Sequence, residues 1–151
     1  MDYFDALTHL FQEGLDSMWN GVNATPVEKL DWRPAPDART AREILAELPY
    51  TTTYSAEMVR SRKQPDVKGE ESGTPKGKQE ISELEKAHRA SVEEFLEAIQ
   101  QFPEEHLQDS LDLPWGTRTF LQIITYPYWN MMYHWGQISY IQTMYGDKET
   151  H

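Results

Sequence analysis

Apolar residues recur every three to four positions in four stretches of the chain, and no stretch alternates strictly with period two. Such spacing predicts amphipathic helices and argues against a sheet. In the first stretch, residues 2–20, Phe4, Leu7, Phe11, Leu15 and Met18 form one stripe, with Asp2 as N-cap and Gly21 as the stop. The second opens on Thr40-Ala41-Arg42-Glu43, a capping box in which Thr40 and Glu43 satisfy the first free N–H groups. Its stripe runs through Ile44, Glu47/Leu48, Thr51, Ser55 and Met58/Val59, and Pro49 predicts a kink near Glu47. The third, residues 79–101, keeps Ile81, Leu84, His88, Val92, Phe95, Ile99 and Phe102 on one face and a row of glutamates on the other; Pro103 ends it. The fourth runs from about Thr119 to Tyr145, stops at Gly146, and carries Pro127 inside it, which predicts a second kink.

Gly and Pro concentrate between these stretches. Residues 62–77 read as a mobile loop, and residues 111–116 as a loop with room for a short extended piece. The expectation is one all-α domain over residues 1–151: an up-down four-helix bundle with its second and fourth helices kinked.

Composition narrows the chemistry. There are 25 acidic against 14 Lys and Arg residues, and no basic stripe, which argues against nucleic acid and anionic membranes as partners. Without cysteine there are no disulfides, thiolate metal sites or thiol nucleophiles. No apolar run of membrane-spanning length and no signal-like N-terminus is present, so the expectation is a cytoplasmic protein. Trp and Tyr, at 5 and 8, exceed what a minimal core needs; they fit ordinary packing, or a pocket or interface lined with amphipathic rings. No Ser-His-Asp order, phosphate-cradling glycine loop or dinucleotide fingerprint occurs.

The densest chemistry lies on the fourth helix. Asn130, His134 and Gln137 recur at i, i+4 and i+7 among large apolar residues, so one helical face carries three polar side chains that need partners. Gln137 reads as a group that fixes the His134 ring or nearby backbone. His88, alone on a core stripe, is either a hydrogen-bonded core residue or a pocket wall. Tyr50 and Tyr54, one and two turns beyond Glu47, are core packing or hydroxyls turned into a cavity.

The second-helix start, residues 40–48, and the run from Asn130 to Gln137 followed by Gly146 resemble the DinB-like (YfiT-like) family of metal-dependent bundle proteins. In that family a His on the second helix and a His-x-x-x-His pair on the last bind a divalent metal. Position by position these fall on Glu47, Asn130 and His134, so one imidazole of three remains. The resemblance implies a homodimer, and a bundle enzyme of the transferase or hydrolase-like kind acting on a small molecule.

Two readings of the centre follow. In one, Glu47, Asn130 and His134 hold Ni, Mn, Fe or Zn weakly and activate a water or a substrate. In the other, Glu47 accepts from Asn130 and His134 in a closed, metal-free network inside a silent ligand-binding or dimeric bundle.

Overall fold

The computed structural model describes residues 2–66, 79–149 and 151. In chain order it contains α1 (Tyr3–Ala24), α2 (Val27–Leu30), α3 (Ala41–Leu45), α4 (Leu48–Ser61), α5 (Ile81–Gln100), a 3-10 turn (Glu104–His106), β1 (Ser110–Leu111), β2 (Arg118–Thr119) and α6 (Phe120–Met144). The fold is all-α. The two short strands pair antiparallel, Ser110 facing Thr119 and Leu111 facing Arg118, and make a small ribbon just before α6.

α5 packs against α4 and α1, and α6 packs against the same two, so the order around the bundle is α1, α5, α4, α6. Consecutive long helices α1 and α4 are therefore diagonal, as are α5 and α6. That explains the long segments before α4 and before α6, which must span the bundle's width. Between the rods lies a core of Phe11, Met18, Trp19, Phe95, Ile99, Ile124 and Ile138, all essentially inaccessible to water.

Three helix starts behave as local chemistry dictates. Asp2, Thr40 and Thr119 each cap with their side chains, and each forms a reciprocal capping box with Asp5, Glu43 and Gln122.

Two ends differ from expectation. α1 runs through Gly21 to Ala24, and Gly21 is buried rather than terminal. A Cβ there would stand 2.1 Å from Cη2 of Trp135, so this glycine lets α1 and α6 approach. The second helix is interrupted where the kink was expected: it stops after Leu45 and restarts at Leu48, Ala46 and Glu47 keeping right-handed helical dihedrals between the two parts, with Pro49 in the first turn of α4. Proline lacks the N–H that would reach back to Leu45 and is tolerated where no such bond is required. Glu47 sits at the junction. α6, by contrast, runs as one helix through Pro127. The expected mobile loop begins outside a helix at Arg62, and its residues 67–77 lie outside the described part.

Arg42 fixes the junction from below. Its buried guanidinium donates to both carboxylate oxygens of Asp31, at 2.6 and 3.3 Å, and to the carbonyl of Gln79. That ties α3 to the loop before it and to the entry of α5.

Candidate functional site

Glu47 and His134 meet across the α3–α4 junction and α6. His134 is 3 % exposed; its Nε2 lies 3.1 Å from Glu47 Oε1, and its Nδ1 lies 2.7 Å from Gln137 Oε1. A carboxylate only accepts, so the Nε2 facing it carries its proton. The side-chain amide of Gln137 meets Nδ1 one turn further along the helix. The other oxygen of Glu47 accepts from Arg39 Nη1 at 2.5 Å. Burial pushes the Glu47 carboxyl up, but hydrogen bonds and charge from Arg39 and His134 outweigh it and leave it below the usual carboxylate range. The ring of Tyr133 meets the edge of the His134 imidazole, centroids 5.2 Å apart.

Asn130 is buried one turn before His134 on the same helix. The expected bond from Asn130 to Glu47 is not formed. Arg39 takes that place.

A divalent ion here needs lone pairs. Glu47 Oε1 and His134 Nε2 are separated by 3.1 Å, which suits two ligands about 2.1 Å from one ion. The remaining set does not suit it. Glu47's second oxygen holds a guanidinium whose charge opposes a dication, Asn130 offers only a neutral carbonyl, and His134 Nε2 is spent on its proton. Among the described residues no cluster of three His, Cys, Asp or Glu side chains stands anywhere in the chain. These residues do not fit a three-ligand centre.

His88 lies elsewhere. It is fully buried on α5, where its Nδ1 accepts from the indole N–H of Trp19 at 3.2 Å and its Nε2 has no partner. Burial, helped by the charge of Arg89, pushes this imidazole down to about 3, so it is a neutral core residue. His9, His106 and His151 pair with Glu13, Asp109 and Asp147 near the surface.

A cleft of about 680 Å³ opens between α4, the β1–β2 ribbon and the first turns of α6, and Glu47, Asn130, His134 and Gln137 are not among the residues that line it. Tyr50 and Tyr54 both line it, stacked with centroids 5.9 Å apart, and Trp115 extends the aromatic wall 6.3 Å beyond Tyr54. Tyr126 closes the side toward the polar pair: burial and the negative charge of Glu47 both raise its phenol. Burial likewise raises the Tyr54 phenol, with the Tyr50 ring adding to it. Both therefore remain hydrogen-bond donors at neutral pH. The cleft is also lined by Arg118, whose guanidinium, among the described residues, hydrogen-bonds to the carbonyl of Thr117 and pairs with no carboxylate.

The sequence offered no sign of Arg39, Trp115, Arg118 or Tyr126 at this place. All but Tyr126 come from loops and the ribbon, where no periodicity marks which way a side chain faces.

The family model described as the DinB superfamily matches residues 10–138. The crystal structure of a DinB-like protein, YjoA from Bacillus subtilis, superposes with a TM-score of 0.73 at 14% identity, covering 97% of this chain and 96% of that one. No curated protein matches the chain.

Proposed function

The chain belongs to the DinB superfamily, and from that premise we propose that it is a small-molecule-binding bundle whose polar centre works without a metal. The observation that carries this reading is saturation. Both oxygens of Glu47 and both ring nitrogens of His134 have partners, while the aromatic cleft has room for a ligand. Glu47, His134 and Gln137 act as a strut that fixes α6 against the α3–α4 junction and so holds the cleft's inner wall. The cleft's chemistry suits a flat, amphipathic anion: an apolar ring system against Tyr54, Trp115 and Tyr126, and an acidic group on Arg118.

Two measurements test this. Protein loaded with Ni, Mn, Fe or Zn and then dialysed should retain no stoichiometric metal, and its thermal midpoint should not respond to these ions. One ion per chain, lost in a His134→Ala variant, would overturn the metal-free reading. Calorimetric titration with 2-naphthoate should give saturable binding that the neutral 2-naphthamide lacks and that Arg118→Gln abolishes. Equal binding of acid and amide, or none of either, would remove the anionic assignment.

A further inference from the structure

The cleft is polarised along its length. Its lining holds Arg118 and no carboxylate, in a chain of net charge −11. α6 brings no Asp, Glu, Lys or Arg to its wall, so the guanidinium of Arg118, just ahead of the first turn, is reinforced there by the positive end of a 25-residue helix. α4 runs antiparallel to α6: its start at Glu47 meets His134, while Arg62 at its end lies over Phe102, which packs on Phe120 at the start of α6. Tyr50, three residues beyond Glu47, therefore stands at the same end of the cleft as Tyr126, the lining residue furthest along α6. That end feels the negative charge of Glu47. One end of the cleft attracts an anion and the other repels it.

Between the two ends the wall is aromatic, Tyr54 and Trp115 lying 6.3 Å apart. At the repelling end the ring of Tyr126 rests against Trp129, centroids 5.8 Å apart, and Trp129 stacks in turn on Tyr133 at 5.4 Å with planes 13° apart. These rings run out along the exposed side of α6 and brace Tyr126 before a ligand arrives. Its phenol keeps the proton, because burial and the charge of Glu47 both oppose the phenolate, and so it has an O–H to donate. A second carboxylate brought to that end would face Glu47 as a like charge; a neutral oxygen would not. Tyr126 stands six residues beyond Phe120, the first residue of the helix, or about 9 Å along the axis. A fused two-ring skeleton with a polar group at each end covers that span.

Resting on the reading of the cleft as an anion site, we propose that it takes a bifunctional ligand in one orientation: an aromatic acid whose carboxylate sits on Arg118 and whose opposite end carries a neutral hydrogen-bond acceptor, a ketone or ester carbonyl, that accepts from the Tyr126 hydroxyl. Tyr126 is then the residue that sets specificity. An acid of the same shape without the acceptor fills the same space and leaves the phenol without a partner on the ligand. A diacid offers an acceptor but brings its second charge toward Glu47. Sites that offer a hydrogen bond to one group turn away the analogue lacking it. Tyr126 is 45 % exposed, so water takes the place of a missing acceptor and the preference is severalfold in size.

Three shape-matched acids test this by calorimetric titration of the full chain: 6-acetyl-2-naphthoate, 6-isopropyl-2-naphthoate and naphthalene-2,6-dicarboxylate. The acetyl acid should bind about fivefold more tightly than the isopropyl acid, the size of one net hydrogen bond, and more tightly than the diacid. Tyr126→Phe keeps the ring and removes the donor; the ratio of acetyl to isopropyl affinity should fall to about one, with the thermal midpoint of the protein unchanged. Equal affinities in the unaltered protein, or a ratio that survives Tyr126→Phe, would overturn the assignment of the tail, while binding of 2-naphthoate keeps the anion site standing. A diacid that binds most tightly of the three would overturn the neutrality of the tail. If no acid binds, 2-naphthoate included, the anion site falls and this proposal with it.

Discussion

The six-membered ring of Trp135 on α6 stands where a side chain on Gly21 of α1 would begin: Cη2 is 2.1 Å from the position of a Cβ, and Cζ2 is 2.8 Å from it. The two helices touch there through one indole and a bare backbone, and neither element can shift without the other.

Gly21→Ala should therefore destabilise the fold despite the better helix propensity of alanine. Propensity contributes roughly 0.5–1 kcal/mol in favour, against typically 1–3 kcal/mol for forcing volume into a packed contact. Urea unfolding measures the sum. Gly136→Ala is the control, since its Cβ meets nothing, and should raise subunit stability. A Gly21→Ala protein as stable as the Gly136→Ala protein would mean that Trp135 moves away freely.

Glu47→Gln should cost roughly 1.5–3 kcal/mol, the usual worth of hydrogen bonds to a charged group. It removes the negative charge and one of the two acceptor oxygens, so the amide can serve His134 or Arg39 but not both. Replacing the partners together, Glu47→Leu with His134→Phe, should recover most of that loss, because matched apolar groups need no desolvated charge. A double variant as unstable as the single one would mean that the pair does more than brace the bundle.

His88 should make stability fall with acid. Its folded pKa lies near 3 against an ordinary 6.5, so between those values the unfolded chain binds a proton that the folded chain does not. Stability then rises with pH by about 1.4 kcal/mol per unit across that window and is flat, for this group, above it. The depressed carboxyl of Glu47 acts in the same direction at lower pH: its contribution is present above the ordinary carboxylate value and lost as pH falls through the folded one. Denaturation curves of His88→Gln from neutral pH downward should show a slope smaller by about one proton. Parallel profiles for the two proteins would contradict the burial argument.

Arg42→Lys should be destabilising by about 1–3 kcal/mol although it keeps the charge. An ammonium cannot serve both Asp31 oxygens and the Gln79 carbonyl from one planar group. The same change at exposed Arg33, paired with Glu43 at the surface, should fall within ~1 kcal/mol of neutral. Equal effects at both positions would show that the burial of Arg42 adds nothing.

Much of this was legible in the sequence because it is local. The capping box at Thr40, the helix start near Thr119, the apolar stripe of α5 and the family resemblance at residues 40–48 and 130–137 all depend on neighbours a few residues apart. His134 was found through the polar spacing on its helix and Glu47 through that resemblance, and the two do meet. What could not be read depends on distance along the chain. Gly21 looks like a stop signal until Trp135 is seen against it. His88 finds its partner in Trp19, sixty-nine residues away. Arg39 displaces Asn130 as the third member of the centre from a loop with no periodic pattern. Pro49 gave the place of the break in the second helix but not its extent, since a proline is equally at home in a kink and in a first turn.

None of the 25 residues of α6 is Asp, Glu, Lys or Arg, so ionic strength acts on the other faces alone. Adding salt screens the repulsion between acidic bodies, with a Debye length falling from about 10 Å at 0.1 M to about 3 Å at 1 M, and does nothing to weaken ring-to-ring contact. Whatever rests against this helix should accordingly hold more firmly in brine than in dilute buffer, the reverse of an assembly stitched by ion pairs.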